Sequence, residues 1–259
     1  MMNMIKFAVL ITFSTLALHA EIITEPIDYD HDGALCGGSL VYDNSIEGKL
    51  PGVIIFHQWG GPGDYELARA KMLAEQGYAA FVADVYTKSI RPQSVGERRV
   101  LTTAFRNDRP MTRARANAAL TAVLENEHVD AEKIAAIGYC FGGFVALELA
   151  RSGADIKTAV SIHGSLNTPT PEDATNIICN VLVQHGSIDP YVPAEELEAF
   201  KNEMNEAGVS YEVIEYADAV HAFTDWNAGT DPSGGAAYNE AADKKSWTEL
   251  LSHLQKNFE

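Results

Sequence analysis

Residues 134–150 run IAAIGYCFGGFVALELA. A stretch of small and β-branched apolar residues enters Gly138-Tyr139-Cys140-Phe141-Gly142-Gly143, and a second apolar stretch follows, broken only by Glu148. The first stretch is short and continuous, as in a strand buried on both faces of a sheet. The second is apolar nearly all round, as in a central, buried helix. Between them the spacing Gly-x-Cys-x-Gly has the form of a strand-turn-helix elbow that holds its middle residue in a strained conformation. A side chain two positions to either side would meet the neighbouring strand or helix, which accounts for Gly138 and Gly142. Gly143 lets the helix approach the sheet. At the helix start, free N–H groups and the helix dipole favour a thiolate. The competing reading makes Cys140 a small apolar residue in a glycine-rich packing corner.

Outward from this elbow, short apolar runs recur: VIIF from Val53, AAFVADV from Ala79, TAVSIH from Thr158 and VLVQH from Val181. Each is too continuous for a half-exposed sheet, so all read as central parallel strands. Helical spacing lies between them. Leu67, Ala70 and Ala74 share a face, with Asp64 and Glu66 at the start and Gly77 as the stop. Leu197, Phe200 and Met204 repeat the pattern between Pro193 and Gly208, and Trp247, Leu250, Leu251 and Leu254 give the last helix its stripe. Two further runs flanking His31-Asp32-Gly33 suggest an opening hairpin. The alternation predicts one α/β domain over 21–259, a mostly parallel, doubly wound sheet with helices on both faces.

Residues 1–20 stand apart. Lys6 precedes an apolar stretch that ends in Leu18-His19-Ala20, the pattern of a secretory signal peptide and too short for a comfortable membrane span. On that reading the protein is exported, to the periplasm. The competing reading is a buried first strand or helix. The whole chain carries a net charge of −17 over 259 residues. Losing Lys6 moves this to −18, a surface that repels nucleic acid and anionic membranes. Cys36, Cys140 and Cys179 are the only cysteines. An odd number leaves at least one thiol free; pairing of Cys36 with Cys179 stays open, since each also suits a buried free thiol.

In a doubly wound sheet the site lies beyond the carboxyl ends of the strands. There the chain places Cys140, then Asp189 in HGSIDP, 49 residues on, and His221 in DAVHAF, a further 32. Those gaps suit one strand-helix-strand and one helix-strand, so all three land at one sheet edge. The order nucleophile, acid, histidine is that of α/β-hydrolases. His221 would take the Cys140 proton, Asp189 would orient the imidazole, and the backbone N–H groups of Phe141 and Trp59 would hold an oxyanion. His163 and His185 read as structural imidazoles, and His31, His128 and His253 as surface residues. No Cys/His spacing resembles a zinc site.

Over essentially the whole mature length, through PGVIIFHQWGGPGDYELARAKMLAEQGYAAFVADVY, GYCFGG, HGSIDPYVPAEE and HAFTD, the chain resembles the dienelactone hydrolase family. The resemblance implies an α/β-hydrolase fold, a Cys140-Asp189-His221 triad and hydrolysis of an ester or lactone without cofactor or metal. It implies no partner beyond a small-molecule substrate. Two positions depart from the dienelactone-specific pattern. Gln58 stands where a glutamate beside the nucleophile would accept the thiol proton, which leaves His221 as the direct activator. Asp225 stands where an arginine would grip the substrate carboxylate. Seven arginines gather between Arg91 and Arg115. Either this cluster holds a carboxylate, with Arg98 the best single candidate, or it is a solvated loop and helix face with Arg109 and Arg113 on one side. Gln58, Arg98, Tyr86 and Phe223 are the expected substrate contacts, with Trp59, Phe141 and Tyr191 as further lining. A carboxylesterase or thioesterase of the same fold is the alternative enzyme. A non-catalytic small-molecule binder on this scaffold is the alternative class.

Overall fold

The computed structural model describes residues 21–259, so residues 1–20, on which the signal-peptide reading rests, lie outside the described residues. The chain begins with the hairpin β1 (Ile22–His31) and β2 (Ala34–Asp43). Its turn places Asp32 and Gly33 at φ 51° and 77°, and the left-handed pair matches the twist of the flanking strands. There follow β3 (Leu50–Phe56), α1 (Asp64–Ala74), β4 (Ala79–Ala83), α2 (Val95–Asn107), α3 (Arg109–Leu124) and β5 (Val129–Tyr139). The second half adds α4 (Phe141–Arg151), β6 (Thr158–Ile162), β7 (Asn180–Gly186), α5 (Ala194–Ala207), β8 (Tyr211–Tyr216) and α6 (Glu240–Phe258).

The eight strands form one sheet in the order β1-β2-β4-β3-β5-β6-β7-β8. Pairing is antiparallel for β1 with β2 and for β2 with β4, and parallel everywhere else. The continuous apolar runs have the reason expected of them, because successive side chains enter two different cores. In β3, Ile54 and Phe56 join the core under α3, α4 and α5, while Val53 and Ile55 join the core under α1 and α6. Ala136 and Ile137 of β5 divide in the same way. Helix α4 is buried along its entire length.

Helices α2 and α3 are separated at Asp108, whose side chain accepts the Met111 N–H and caps α3, with Pro110 in the first turn. All three cysteines are free thiols, and Cys36 and Cys179 are buried separately. Among the described residues no helix is long and apolar enough to cross a membrane.

Candidate active site

The elbow is as tight as its glycines require. Cys140 sits at φ 56°, in the left-handed region that costs a non-glycine residue energy. A Cβ on Gly138 would stand 2.0 Å from the Gly142 carbonyl oxygen, and one on Gly142 would stand 2.0 Å from that of Phe56. The first collision is with the helix start and the second with strand β3, so neither position tolerates a side chain.

Three loops at the carboxyl ends of β5, β7 and β8 bring the predicted residues together. Cys140 Sγ lies 3.0 Å from His221 Nε2, and His221 Nδ1 lies 2.8 Å from Asp189 Oδ2. The other Asp189 oxygen accepts the Tyr191 N–H at 2.8 Å, which fixes the carboxylate. His221 is held by its own backbone: its N–H donates to the Gly235 carbonyl and its carbonyl accepts the Ala237 N–H. Burial on its own would push the Cys140 thiol up. The charge and hydrogen bond of His221, with the Phe141 N–H and the Arg106 guanidinium, outweigh it and bring the thiol below its ordinary range. Burial likewise opposes charge on His221, but the Cys140 sulfur and the Asp189 carboxylate push its pKa up to about 10.

The loop after β3 faces this pair. Its Gln58 and Gly63 N–H groups both donate to the Glu66 carboxylate, at 3.0 Å each, and the Gly61 N–H donates to the Gln58 carbonyl. Among the described residues the Trp59 and Gly60 N–H groups meet no acceptor. Glu66 is therefore more than a helix-start residue: it reaches back from the first turn of α1 and pins both ends of the loop. Burial raises its carboxyl to about 7 against the pull of those N–H groups. The sequence signal for it was an acidic side chain three residues after Gly63, and only the backbone path shows what it binds.

The expected substrate contacts divide. Gln58 reaches across to Asp225, donating from Nε2 to Oδ2 at 3.0 Å. Arg98 stacks on the Trp59 ring, 5.6 Å from its centroid. Tyr86, by contrast, is buried with its hydroxyl committed to the Trp59 carbonyl at 3.1 Å, so it supports the loop from behind. Phe223 is wholly buried between Tyr216 and His163 and belongs to the core, because the tight turn after His221 points it inward. Tyr191 stays exposed, its ring edge-on to His221 at 5.2 Å.

The arginine cluster is not one solvated face. Arg109 and Arg113 turn inward and, with Arg151, bind the buried Glu148 carboxylate. Arg91 pairs with Asp84, and Arg115 donates to the Val85 and Tyr86 carbonyls. Arg106 bonds Ser165 and lies near enough to Cys140 to favour its thiolate. Among the histidines read as surface residues, His128 is half-buried and stacks on Tyr42, and His253 is half-buried against the Thr158 hydroxyl. His163 is buried and hydrogen-bonded at both nitrogens. Among the described residues no group of three or more His, Cys, Asp or Glu side chains is arranged to hold a metal ion.

Comparison with known proteins agrees with this architecture. The family model of the dienelactone hydrolase family matches residues 38–258. A dienelactone hydrolase-like promiscuous phosphotriesterase, P91, from metagenomic libraries superposes with a TM-score of 0.87 at 34% identity, covering 93% of this chain and 100% of that one. The solved structure of m3DLH gives 0.88 at 36% identity over 92% and 99%. An uncharacterized Caenorhabditis elegans protein is 35% identical over 148 residues, 56% of this chain and 92% of its own length. The chain belongs to the dienelactone hydrolase family, with the α/β-hydrolase fold of that family.

Proposed function

We propose that this family member hydrolyses a compact carboxylic ester or lactone with Cys140 as the nucleophile, His221 as acid and base, and Asp189 as the orienting carboxylate. The observation that carries the reading is the continuous hydrogen-bonded line Sγ–Nε2, 3.0 Å, and Nδ1–Oδ2, 2.8 Å. In this reading the pair rests as thiolate and imidazolium. The thiolate adds to the substrate carbonyl carbon, and the oxygen that becomes negative is met by the N–H groups of Phe141 and Trp59. The tetrahedral adduct collapses as His221 Nε2–H gives its proton to the leaving oxygen, leaving a thioester on Cys140. Neutral His221 then takes a proton from water, the hydroxide adds to the thioester, and collapse expels the thiolate with the acid product.

The side of the site formed by Gln58 and Asp225 is not arranged to attract a substrate carboxylate, since Asp225 is acidic and the Gln58 amide is already bonded to it. Arg98 and Arg106, on the α2 side, are the cations available to an acidic substrate. Neutral esters and lactones therefore fit at least as well as anionic ones. Attack on a phosphotriester is a second reading, favoured by the name of one relative at 34% identity. A pure binding module would have no use for a line of three aligned side chains. Export rests on residues 1–20, and a mature protein in the periplasm that begins at Glu21 is its test.

Turnover of p-nitrophenyl acetate tests the hydrolase reading, with intact-protein mass for an acetyl adduct. Turnover that vanishes in Cys140→Ala and His221→Ala, with the adduct confined to proteins that retain Cys140, is the expected result. Full activity in both variants would move the chemistry elsewhere. No turnover and no adduct across a panel of esters and lactones would favour the binder.

A further inference from the structure

Behind the Cys140–His221 pair lies a second imidazole that none of these steps uses. His163 follows β6 and is 1% exposed. Its Nδ1 accepts the backbone N–H of Cys140 at 3.1 Å, a hydrogen shared with the Ile162 carbonyl at 3.0 Å. A ring nitrogen that accepts carries no proton, so the neutral ring holds its proton on Nε2. That nitrogen lies 2.8 Å from the Thr224 hydroxyl, to which it donates. Thr224 sits three residues after His221, on the same turn, and its hydroxyl meets the Tyr65 hydroxyl at 2.7 Å. Arg69 donates to the Thr224 carbonyl at 2.8 Å and fixes the turn from behind.

The ring is therefore joined to the nucleophile's own backbone at one nitrogen and to the histidine-bearing turn at the other. It stands edge-on to His221, with 5.3 Å between centroids. His163 itself has φ 41°, a second non-glycine residue in the left-handed region next to Cys140 at φ 56°. Strain at a buried residue persists where surrounding contacts hold it, and such strain gathers at functional sites.

We propose that His163 is a positioning residue, a neutral imidazole bridge that sets the spacing between the Cys140 elbow and the turn carrying His221. The inference rests on the hydrolase reading above. The bridge works only with an unprotonated Nδ1, since a proton there would face the Cys140 N–H. It would also add a cation near His221 and Arg69, whose charges oppose one there. Burial and those neighbours hold the ring well below the ordinary imidazole range.

The test compares His163→Phe, which keeps an aromatic ring and removes both nitrogens, with His163→Asn, whose side-chain oxygen can take the place of Nδ1. Thr224→Val removes the other end of the bridge. Three quantities are read: kcat and KM for p-nitrophenyl acetate, the pH profile of Cys140 alkylation by iodoacetamide, and the melting temperature. We expect His163→Phe to lower kcat about ten- to a hundredfold with KM nearly unchanged, and to move the alkylation profile to higher pH. His163→Asn should recover part of both effects, and the His163→Phe/Thr224→Val double variant should be little worse than His163→Phe alone.

A folded His163→Phe protein with wild-type kcat and an unmoved profile would overturn the proposal, as would losses that simply multiply in the double variant. Should His163→Phe fail to fold, Thr224→Val carries the test, and a wild-type kcat and profile there would overturn it equally. Cys140→Ala separates the two levels: retained turnover in that variant sinks the hydrolase reading, whereas the alkylation profile reports on the bridge without any ester.

Discussion

Gln58 and Asp225, the two residues that depart from the dienelactone-specific pattern, touch each other: Gln58 Nε2 donates to Asp225 Oδ2 at 3.0 Å. The departures are thus one exchange. A glutamate at position 58 would lie beside both Asp225 and Glu66, whose carboxylate already takes the Gln58 N–H. A carboxylate in place of the Gln58 amide would meet Asp225 directly, with Glu66 already in the field of Asp225, so all three could ionise only against mutual repulsion, whereas an amide supplies the donor that Asp225 needs.

Gln58→Glu and Asp225→Arg, made singly, are each expected to lower kcat/KM for a neutral ester about tenfold or more, since each leaves a partner unsatisfied at about 1–3 kcal/mol. The double variant should regain much of that loss and shift preference toward carboxylate-bearing lactones. Steady-state kinetics on a neutral and an anionic substrate checks this; strictly additive losses would show that the two side chains act independently.

The sulfur should ionise more readily than a free cysteine, because the His221 charge and hydrogen bond outweigh its burial. Alkylation of Cys140 by iodoacetamide is expected to follow a pKa below that of a free cysteine. His221→Ala should move it above the ordinary value, because burial then acts without an opposing imidazolium. Arg106→Met should move it in the same direction by less. A midpoint unchanged by His221→Ala would show that the imidazole does not hold the thiolate.

The strands and helices α1, α4, α5 and α6 were readable from short apolar runs, helical spacing and turns carrying glycine, proline or an acidic cap, whereas α2 and α3 read only as an arginine-rich loop and helix face because arginine dominates their polar sides. The convergence of Cys140, Asp189 and His221 followed from where those runs end. What could not be read was anything that depends on a side chain reaching back along its own path. Glu66 showed as a helix-start acid, and its grip on Gln58 and Gly63 became visible only with the loop in place. Tyr86 and Phe223 looked like pocket aromatics because aromatic residues after strands serve either purpose. Their burial is decided by rotamer and by the turn after His221. Arg109 and Arg113 read as a solvated face because their partner, Glu148, lies on a different helix.

Stability should fall as pH drops below about 6.5. Burial depresses His57 and His253 to about 4, and lowers His163 and His185. An imidazole with a lowered pKa in the folded state leaves the unfolded chain binding more protons between the two values. Each such group therefore adds stability as pH rises through that window, at up to about 1.4 kcal/mol per pH unit when fully withheld. The solvent-reached His253 should contribute less. Glu66 acts oppositely: its raised pKa makes the folded state hold a proton that the unfolded state has lost, so its contribution declines from about pH 4.5 to 7. Four imidazoles against one carboxyl, with the raised His221 opposing only as pH nears 6.5, predict a net rise from pH 4.5 to 6.5. Urea unfolding across that range checks it, and Glu66→Gln should steepen the rise by removing the opposing group.

Glu148 is the one charge in the otherwise apolar sequence of α4 before Arg151, and it is wholly buried. One oxygen accepts from Arg109 at 3.1 Å and from Arg151 at 3.0 Å, and the other accepts from Arg113 at 2.8 Å. Arg151 also holds Glu203 of α5, and Arg113 holds Asp173. The carboxylate thus ties α3 to the helix that carries the nucleophile elbow and orients Arg151, which in turn holds α5 through Glu203. Removing it leaves buried guanidinium charge only partly compensated, which costs about 3–5 kcal/mol in comparable pairs. Glu148→Gln is expected to destabilise by that order and Glu148→Leu by at least as much, because the three arginines remain. With Cys140 eight residues away on the helix, kcat at low temperature should stay within a few-fold of wild type while the melting temperature falls. Calorimetry beside low-temperature kinetics separates the two effects. A Glu148→Leu protein as stable as wild type would show that the three guanidiniums find other acceptors or water.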